Sequence, residues 1–134
     1  AYLEPVEIAF KKKSEVNTSY KNLTKIMLDA ALSASSPTLS SDGCIPPIPA
    51  FGTHDIQCIT FAKEYASKIG LSKQSMEFQM LYGIRSDLQQ QCLEEGYPVR
   101  VYVPYGTHWY PFYMRRLAER PANLLFFMSN YFKK

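Results

Sequence analysis

Arg115 and Arg116 stand side by side in the stretch WYPFYMRRLAERP, residues 109–121, and Glu119 follows three and four residues later. Arginine is suited to gripping a planar anion, because its guanidinium offers paired N–H donors that match carboxylate or phosphate oxygens. On a helix the two side chains project about 100° apart, so they share no narrow face but can converge on one ligand. Glu119 has the spacing to brace either one. A solvated surface network is the plainer reading of such charges. Phe112, Tyr113 and Leu117 flank the pair and argue for partial burial. Glu119 can neutralise only one of two buried guanidinium groups, so the pair calls for a second anion.

Three further clusters carry polar chemistry: Thr53-His54-Asp55, Leu81-Tyr82-Gly83, and the run from Tyr102 to Gly106. Each follows a short apolar segment that reads as a strand. In parallel α/β folds ligands lie beyond the carboxyl ends of the strands, so these clusters mark the mouth of a site. Thr53 and His54 can hydrogen-bond a cofactor; the plainer alternative is a turn histidine beside an Asp55 that only caps a helix. Tyr102 suits a pocket wall, or is a packed tyrosine with its hydroxyl satisfied. Gly106 supplies backbone freedom for a turn. No G-x-G-x-x-G, P-loop or G-x-S-x-G occurs. Types and spacing thus reach a carboxylate or phosphate site, and stop short of a reaction.

The elements that must position these groups follow from periodicity. Val16, Tyr20, Leu23, Met27 and Ala30 recur at steps of three and four, which predicts a helix to about Leu32 with these residues on its inner face. Ser33 to Pro49 is rich in serine and holds four prolines and Gly43, and reads as a surface loop. IPAFGTHD reads as a strand ending near Thr53-His54. Asp55 caps a helix that runs to about Ile69, buries Ile59, Ala62, Ala66 and Ile69, and stops at Gly70. MEFQMLYG is a second strand. Ser86 with Gln89 has capping-box spacing for a helix that Gly96 ends. VRVYV, residues 99–103, alternates cleanly and is a third strand. Trp109 to Arg120 is a helix closed by Pro121. LLFFM near residue 126 fits a buried strand or a buried helix.

Strands that alternate with helices predict an α/β fold with parallel strands. An open doubly wound sheet and a piece of a β/α barrel both fit. Alternation favours the barrel. Arg100 and Tyr102 share one face opposite the valines, and Glu77, Gln79 and Leu81 share one face opposite Phe78 and Met80. A sheet covered by helices on both sides would be apolar on both. Three strand–helix units are too few to close eight strands alone.

Composition narrows the class. The 134 residues suffice for one domain with a core, and a net charge of +3 is too mild to point to nucleic acid. The Lys11-Lys12-Lys13 run reads as a solvated patch. Cys44, Cys58 and Cys92 form no C-x-x-C pair and suit reduced thiols, which favours a cytoplasmic setting. No apolar run approaches a membrane span. Two histidines without clustered cysteines offer no metal-site spacing.

Five motifs in serial order, AYLEP, GTHD, FQMLYGIRSDLQ, YPVRVYVPYG and WYPFYMRRLAERPAN, together resemble the second half of bacterial proline dehydrogenase. The likeness covers 1–10 and about 51–123. It implies the C-terminal part of a (β/α)8 TIM barrel that binds FAD non-covalently and oxidises L-proline to Δ1-pyrroline-5-carboxylate, with hydride passing to flavin N5. Position by position, it implies that Arg115 and Arg116 hold the proline carboxylate and that Glu119 pairs with this arginine region. It implies that Tyr102, Leu81 and Tyr2 line the substrate pocket, and that Ala1, Thr53 and His54 contact the flavin. A membrane quinone is the implied electron acceptor, which leaves peripheral attachment to the inner membrane open. The family's earlier strands have no counterpart here, so the expectation is one partial barrel domain over 1–134, inactive without the remaining N-terminal half. The 33–49 loop matches no family motif. The competing reading is a non-catalytic or truncated α/β module that binds a carboxylate or phosphate.

Overall fold

The computed structural model describes residue 5, residues 7–35 and 37–107, and Tyr110, Pro111 and Met114. The chain divides into two compact units, Ala1–Tyr102 and Val103–Lys134. The first unit holds α1 (Lys13–Ser33), β1 (Ala50–Gly52), α2 (Ile56–Ile69), a 3-10 turn at Lys73–Ser75, β2 (Glu77–Leu81), α3 (Ser86–Glu94) and β3 (Val99–Tyr102). In the second unit Tyr110, Pro111 and Met114 are helical, as expected for that stretch, while LLFFM lies outside the described residues.

The strands are parallel, in the order β1-β2-β3. Phe51, Phe78 and Val99 are aligned across the sheet, and so are Gly52, Gln79 and Arg100. Strand alternation therefore sorts two faces. One face carries Phe51, Phe78 and Met80 into a core shared with Leu28 of α1, Ile59, Ala62 and Ala66 of α2, and Leu88 and Cys92 of α3. All three helices thus cover the same face. Phe78 anchors this layer: it is fully buried, 6.2 Å from the Phe51 ring and 5.6 Å edge-on to Tyr97. Full burial of such a side chain is worth about 2–3 kcal/mol, and Phe78→Ala would open the layer. The other face carries Glu77, Gln79, Leu81, Arg100 and Tyr102. An open doubly wound sheet would put helices on both faces; among the described residues of the first unit the helices cover one side only.

α2 matches its sequence reading. Asp55 accepts the Gln57 N–H at its start, and Gly70 adopts the left-handed conformation that terminates it, φ 74°. Two other readings need correction. α1 turns Thr24, Leu28 and Ala31 inward, not Leu23, Met27 and Ala30. Its apolar residues occupy two adjoining stripes, and only the stripe against α2 is covered among the described residues. α1 also begins earlier than Val16, so Lys13 lies in its first turn. There Lys13 pairs with Asp55 at 2.7 Å and with Asn17, and is more than a solvated charge.

The second correction concerns α3. Ser86 is its first helical residue rather than its cap; Arg85 takes the cap position in a left-handed conformation, φ 50°, and its side chain caps no backbone N–H of the helix. Gln89 turns back to the preceding turn instead of closing a capping box. The 33–49 loop is also built more firmly than a surface loop. Pro47 and Pro49 are fully buried, the Leu39 N–H donates to Gln74 O at 3.0 Å, and the Glu77 N–H donates to Pro49 O at 3.1 Å.

Candidate functional site at the strand ends

β1 ends at Gly52, and Thr53-His54-Asp55 carries the chain across to α2. Thr53 Oγ1 accepts the Asp55 N–H at 3.1 Å, which tightens the turn. Asp55 is then set to cap α2 and reach Lys13. The Thr53 side chain also lies near enough to Cys58 to favour its thiolate slightly, against the larger effect of burial. His54 is aimed at the neighbouring strand: its Nε2 accepts the Leu81 N–H at 2.9 Å. Such a bond requires the neutral ring with its proton on Nδ1. The environment favours that form, since burial, and then the nearby Arg85 charge, hold the His54 pKa below its ordinary value. Nδ1–H is left as the ring's donor.

β2 ends at Leu81, and the turn to α3 passes through Gly83 at φ 73° and Arg85 at φ 50°. Gln89 of α3 donates from Nε2 to Leu81 O at 3.1 Å and to Ile84 O at 2.9 Å. The Arg85 guanidinium grips Asp87 at 2.8–3.1 Å, on the helix side of the turn. β3 ends at Tyr102, whose strand partner is Leu81. The Tyr82 N–H donates to Tyr102 O at 3.0 Å and holds the two strand ends together. Leu81 and Tyr102 are therefore side-by-side neighbours on the face away from the helices, and Tyr102 is largely exposed. Gly106 has φ 124°, a conformation that favours glycine, as the turn reading required.

Deeper along the same face lies a polar layer. Glu77 is buried; its carboxylate accepts from Arg100 Nε at 3.0 and 3.2 Å and from Gln79 Nε2 at 2.9 Å. Arg100 Nη2 also donates to Gly43 O at 3.3 Å, which ties the 33–49 loop to this layer. The paired charge raises the Arg100 pKa above its ordinary value.

Of the residues singled out in the sequence, the structure brings Thr53, His54, Leu81 and Tyr102 to one edge of one sheet. Ala1, Tyr2, Arg115, Arg116 and Glu119 lie outside the described residues. Sequence reasoning missed the Glu77–Arg100 pair, the turn-fastening role of Gln89 and the Lys13–Asp55 bridge. The first had a signal: opposite charges on the polar faces of consecutive strands. Gln89 had none, because nothing in its spacing separates a cap partner from a side chain that folds back. Two surface hollows, of about 430 and about 230 Å³, lie on the helix layer beside Phe10 and Asn22 and beside Lys21 and Phe61, and neither is lined by Thr53, His54, Leu81 or Tyr102. Among the described residues no cluster of His, Cys, Asp or Glu could hold a metal ion, and no helix is long and apolar enough to cross a membrane.

The strand-end chemistry suits a cofactor edge that accepts hydrogen bonds, because the fixed His54 tautomer presents a donor. Comparison with known proteins gives this arrangement a family. The proline dehydrogenase family model matches residues 4–129. Proline dehydrogenase 2 of Bacillus subtilis (strain 168) is 41% identical over 134 residues, all of this chain and 39% of the relative. Proline dehydrogenase 1 of the same strain is 39% identical over 134 residues, again all of this chain and 39% of the relative. Proline dehydrogenase of Deinococcus radiodurans is 39% identical over 133 residues, 99% of this chain and 38% of the relative. The chain thus spans about two fifths of the length of these relatives. With a match that runs through α1, every described strand and the arginine-bearing stretch, the chain belongs to the proline dehydrogenase family.

Proposed function

We propose that this chain is the C-terminal part of the catalytic (β/α)8 barrel of an FAD-dependent proline dehydrogenase, which oxidises L-proline to Δ1-pyrroline-5-carboxylate. The observation that carries this reading is the gathering of Thr53, His54, Leu81 and Tyr102 at the carboxyl ends of three sequential parallel strands. Within the described part of the first unit, helices on one face of the sheet and sequential strand order are what a barrel segment requires.

In this reading Arg115 and Arg116 bind the proline carboxylate, the second anion that their charge calls for, and Glu119 braces the pair. Tyr102, Leu81 and Tyr2 pack on the pyrrolidine ring and exclude water from it. Ala1, Thr53 and His54 are the residues that would hold FAD, with His54 donating from Nδ1. The cofactor supplies the hydride acceptor; the protein supplies placement. Fixing the carboxylate and the ring aims the carbon beside nitrogen, and such orientation can lower a barrier by several kcal/mol. The remaining N-terminal half of the barrel completes the site, and a membrane quinone takes the electrons onward.

Absorption spectroscopy on the purified full-length polypeptide tests this. A flavin spectrum bleached by L-proline is expected. Colourless protein that binds simple anions would favour the non-catalytic module instead. Arg115→Met should weaken proline binding, and unchanged binding would remove the carboxylate role. The 134-residue chain alone is expected to show no proline oxidation, and turnover by it would refute the half-site reading.

A further inference from the structure

Leu81 is held from both sides of its peptide backbone. Its N–H donates to His54 Nε2 at 2.9 Å, and its C=O accepts from Gln89 Nε2 at 3.1 Å. The same Gln89 amide donates to Ile84 O at 2.9 Å and so bridges both ends of the turn after β2. That turn needs fastening. Gly83 and Arg85 both sit at positive φ, and for the arginine this conformation is unfavourable. The turn also has no side-chain cap at the start of α3 to hold it. Gln89 is partly buried on the first turn of α3, one residue from the buried Leu88, so its own backbone is fixed by the core.

We propose that Gln89 is a positioning residue for the substrate pocket. With His54 it clamps the Leu81 peptide, sets the height at which the Leu81 side chain stands beside Tyr102, and thereby tunes proline affinity without touching proline. The proposal rests on the proline dehydrogenase reading of Leu81. It differs from a stability role because the two clamped groups belong to the pocket strand and its turn, while the neighbouring Gln90 and Gln91 side chains bond to glutamates on their own helix and its cap.

The test uses the full-length, flavin-loaded protein with Gln89→Met, which keeps length and helix propensity but removes the donor. KM for L-proline should rise roughly fivefold to tenfold, the scale of one lost hydrogen bond, with kcat and flavin content within about twofold of the parent. Hydrogen exchange followed by mass spectrometry should quicken in the peptide spanning 77–91. An active variant with unchanged KM overturns the positioning role and leaves the family function standing, and so does a fall in melting temperature without a KM change. A parent protein that carries flavin but does not oxidise proline overturns both. Should Gln89→Met fail to load flavin, Gln89→Lys and Gln89→Glu decide the matter. The donor should keep KM near the parent value and the acceptor should raise it; equal values overturn the proposal.

Discussion

Arg100 Nε lies 3.0 Å from Glu77 Oε1 across neighbouring parallel strands, and the carboxylate is buried while the guanidinium remains partly exposed. This asymmetry fixes which partner matters more. Removing Arg100 strands a buried negative charge with only Gln79 to hold it. Glu77→Gln instead leaves a neutral amide that Gln79 and Arg100 can still meet. Arg100→Met should therefore lower the melting temperature by several degrees, roughly what a severe single substitution does in a domain of this size, and Glu77→Gln should do less. The double variant should be more stable than the sum of the two losses predicts. Thermal melts of all four proteins check this, and strict additivity would show that the two side chains are not coupled.

The neutral state of His54 makes stability depend on pH. Its folded pKa is below 6.5, lowered first by burial and then by Arg85. Above the unfolded value both states are neutral and the contribution is constant. As pH falls through about 6.5 the unfolded chain takes up the proton first, so stability declines until the folded pKa is passed. The slope of stability against pH is positive in that window. His54→Gln, which retains an acceptor for the Leu81 N–H, should flatten it. Denaturant melts between pH 5 and 7.5 would show the difference, and parallel curves would contradict the partly buried neutral ring.

What was legible in the sequence was whatever local chemistry decides. Asp55 before an apolar period and Gly70 after it gave α2 both ends, because capping and positive φ are properties of single residues. Alternation in EFQML and VRVY sorted the sheet faces, because strand geometry leaves no other choice. The inner face of α1 was not legible. Leu23, Met27 and Leu28 are all apolar, and which stripe is covered depends on where α2 lies. The firmness of the 33–49 loop depends on Gly43 meeting Arg100 and Pro49 meeting Glu77, partners far away in sequence. His54 stands out as a site candidate from its place after a strand, but its bond to Leu81 depends on the parallel register of the strands.

Asp55 has two separable jobs. Oδ1 accepts the Gln57 N–H and Oδ2 meets Lys13, and the Lys13 hydrogen bond is the first cause of its lowered pKa. Asp55→Ala should cost about 1 kcal/mol through loss of the cap. Asp55→Asn, which can still cap, should cost less, because the exposed Lys13 bridge is worth at most about 1 kcal/mol. The slope has the same sign as that of His54, though here it is the charged form that the fold favours, and its window lies lower. A carboxylate with a depressed folded pKa contributes above its unfolded value near 4 and loses that contribution as pH falls further. Chemical denaturation of the two variants at pH 7 and pH 3.5 tests the assignment. Equal losses for alanine and asparagine at pH 7 would remove the cap from the account.

The three thiols should react in two classes. Cys58 and Cys92 are buried, and burial pushes both pKa values up, so each is short of thiolate as well as shielded. Cys58 is further disfavoured as an anion by Asp55, and Cys92 is held back from full inertness by Lys63. Cys44 is exposed in the 33–49 loop, where Asp42 accepts its N–H at 2.9 Å and orders the backbone without covering the sulfur. Under native conditions a thiol reagent should therefore modify one equivalent quickly and two only on unfolding, and Cys44→Ser should abolish the fast phase. Because Cys58 sits under the Thr53 turn and Cys92 under the Tyr97 edge of the core, their rates also report on opening of the helix layer. Rapid reaction of two or three thiols in the folded protein would mean that α2 and α3 do not pack on the sheet as described.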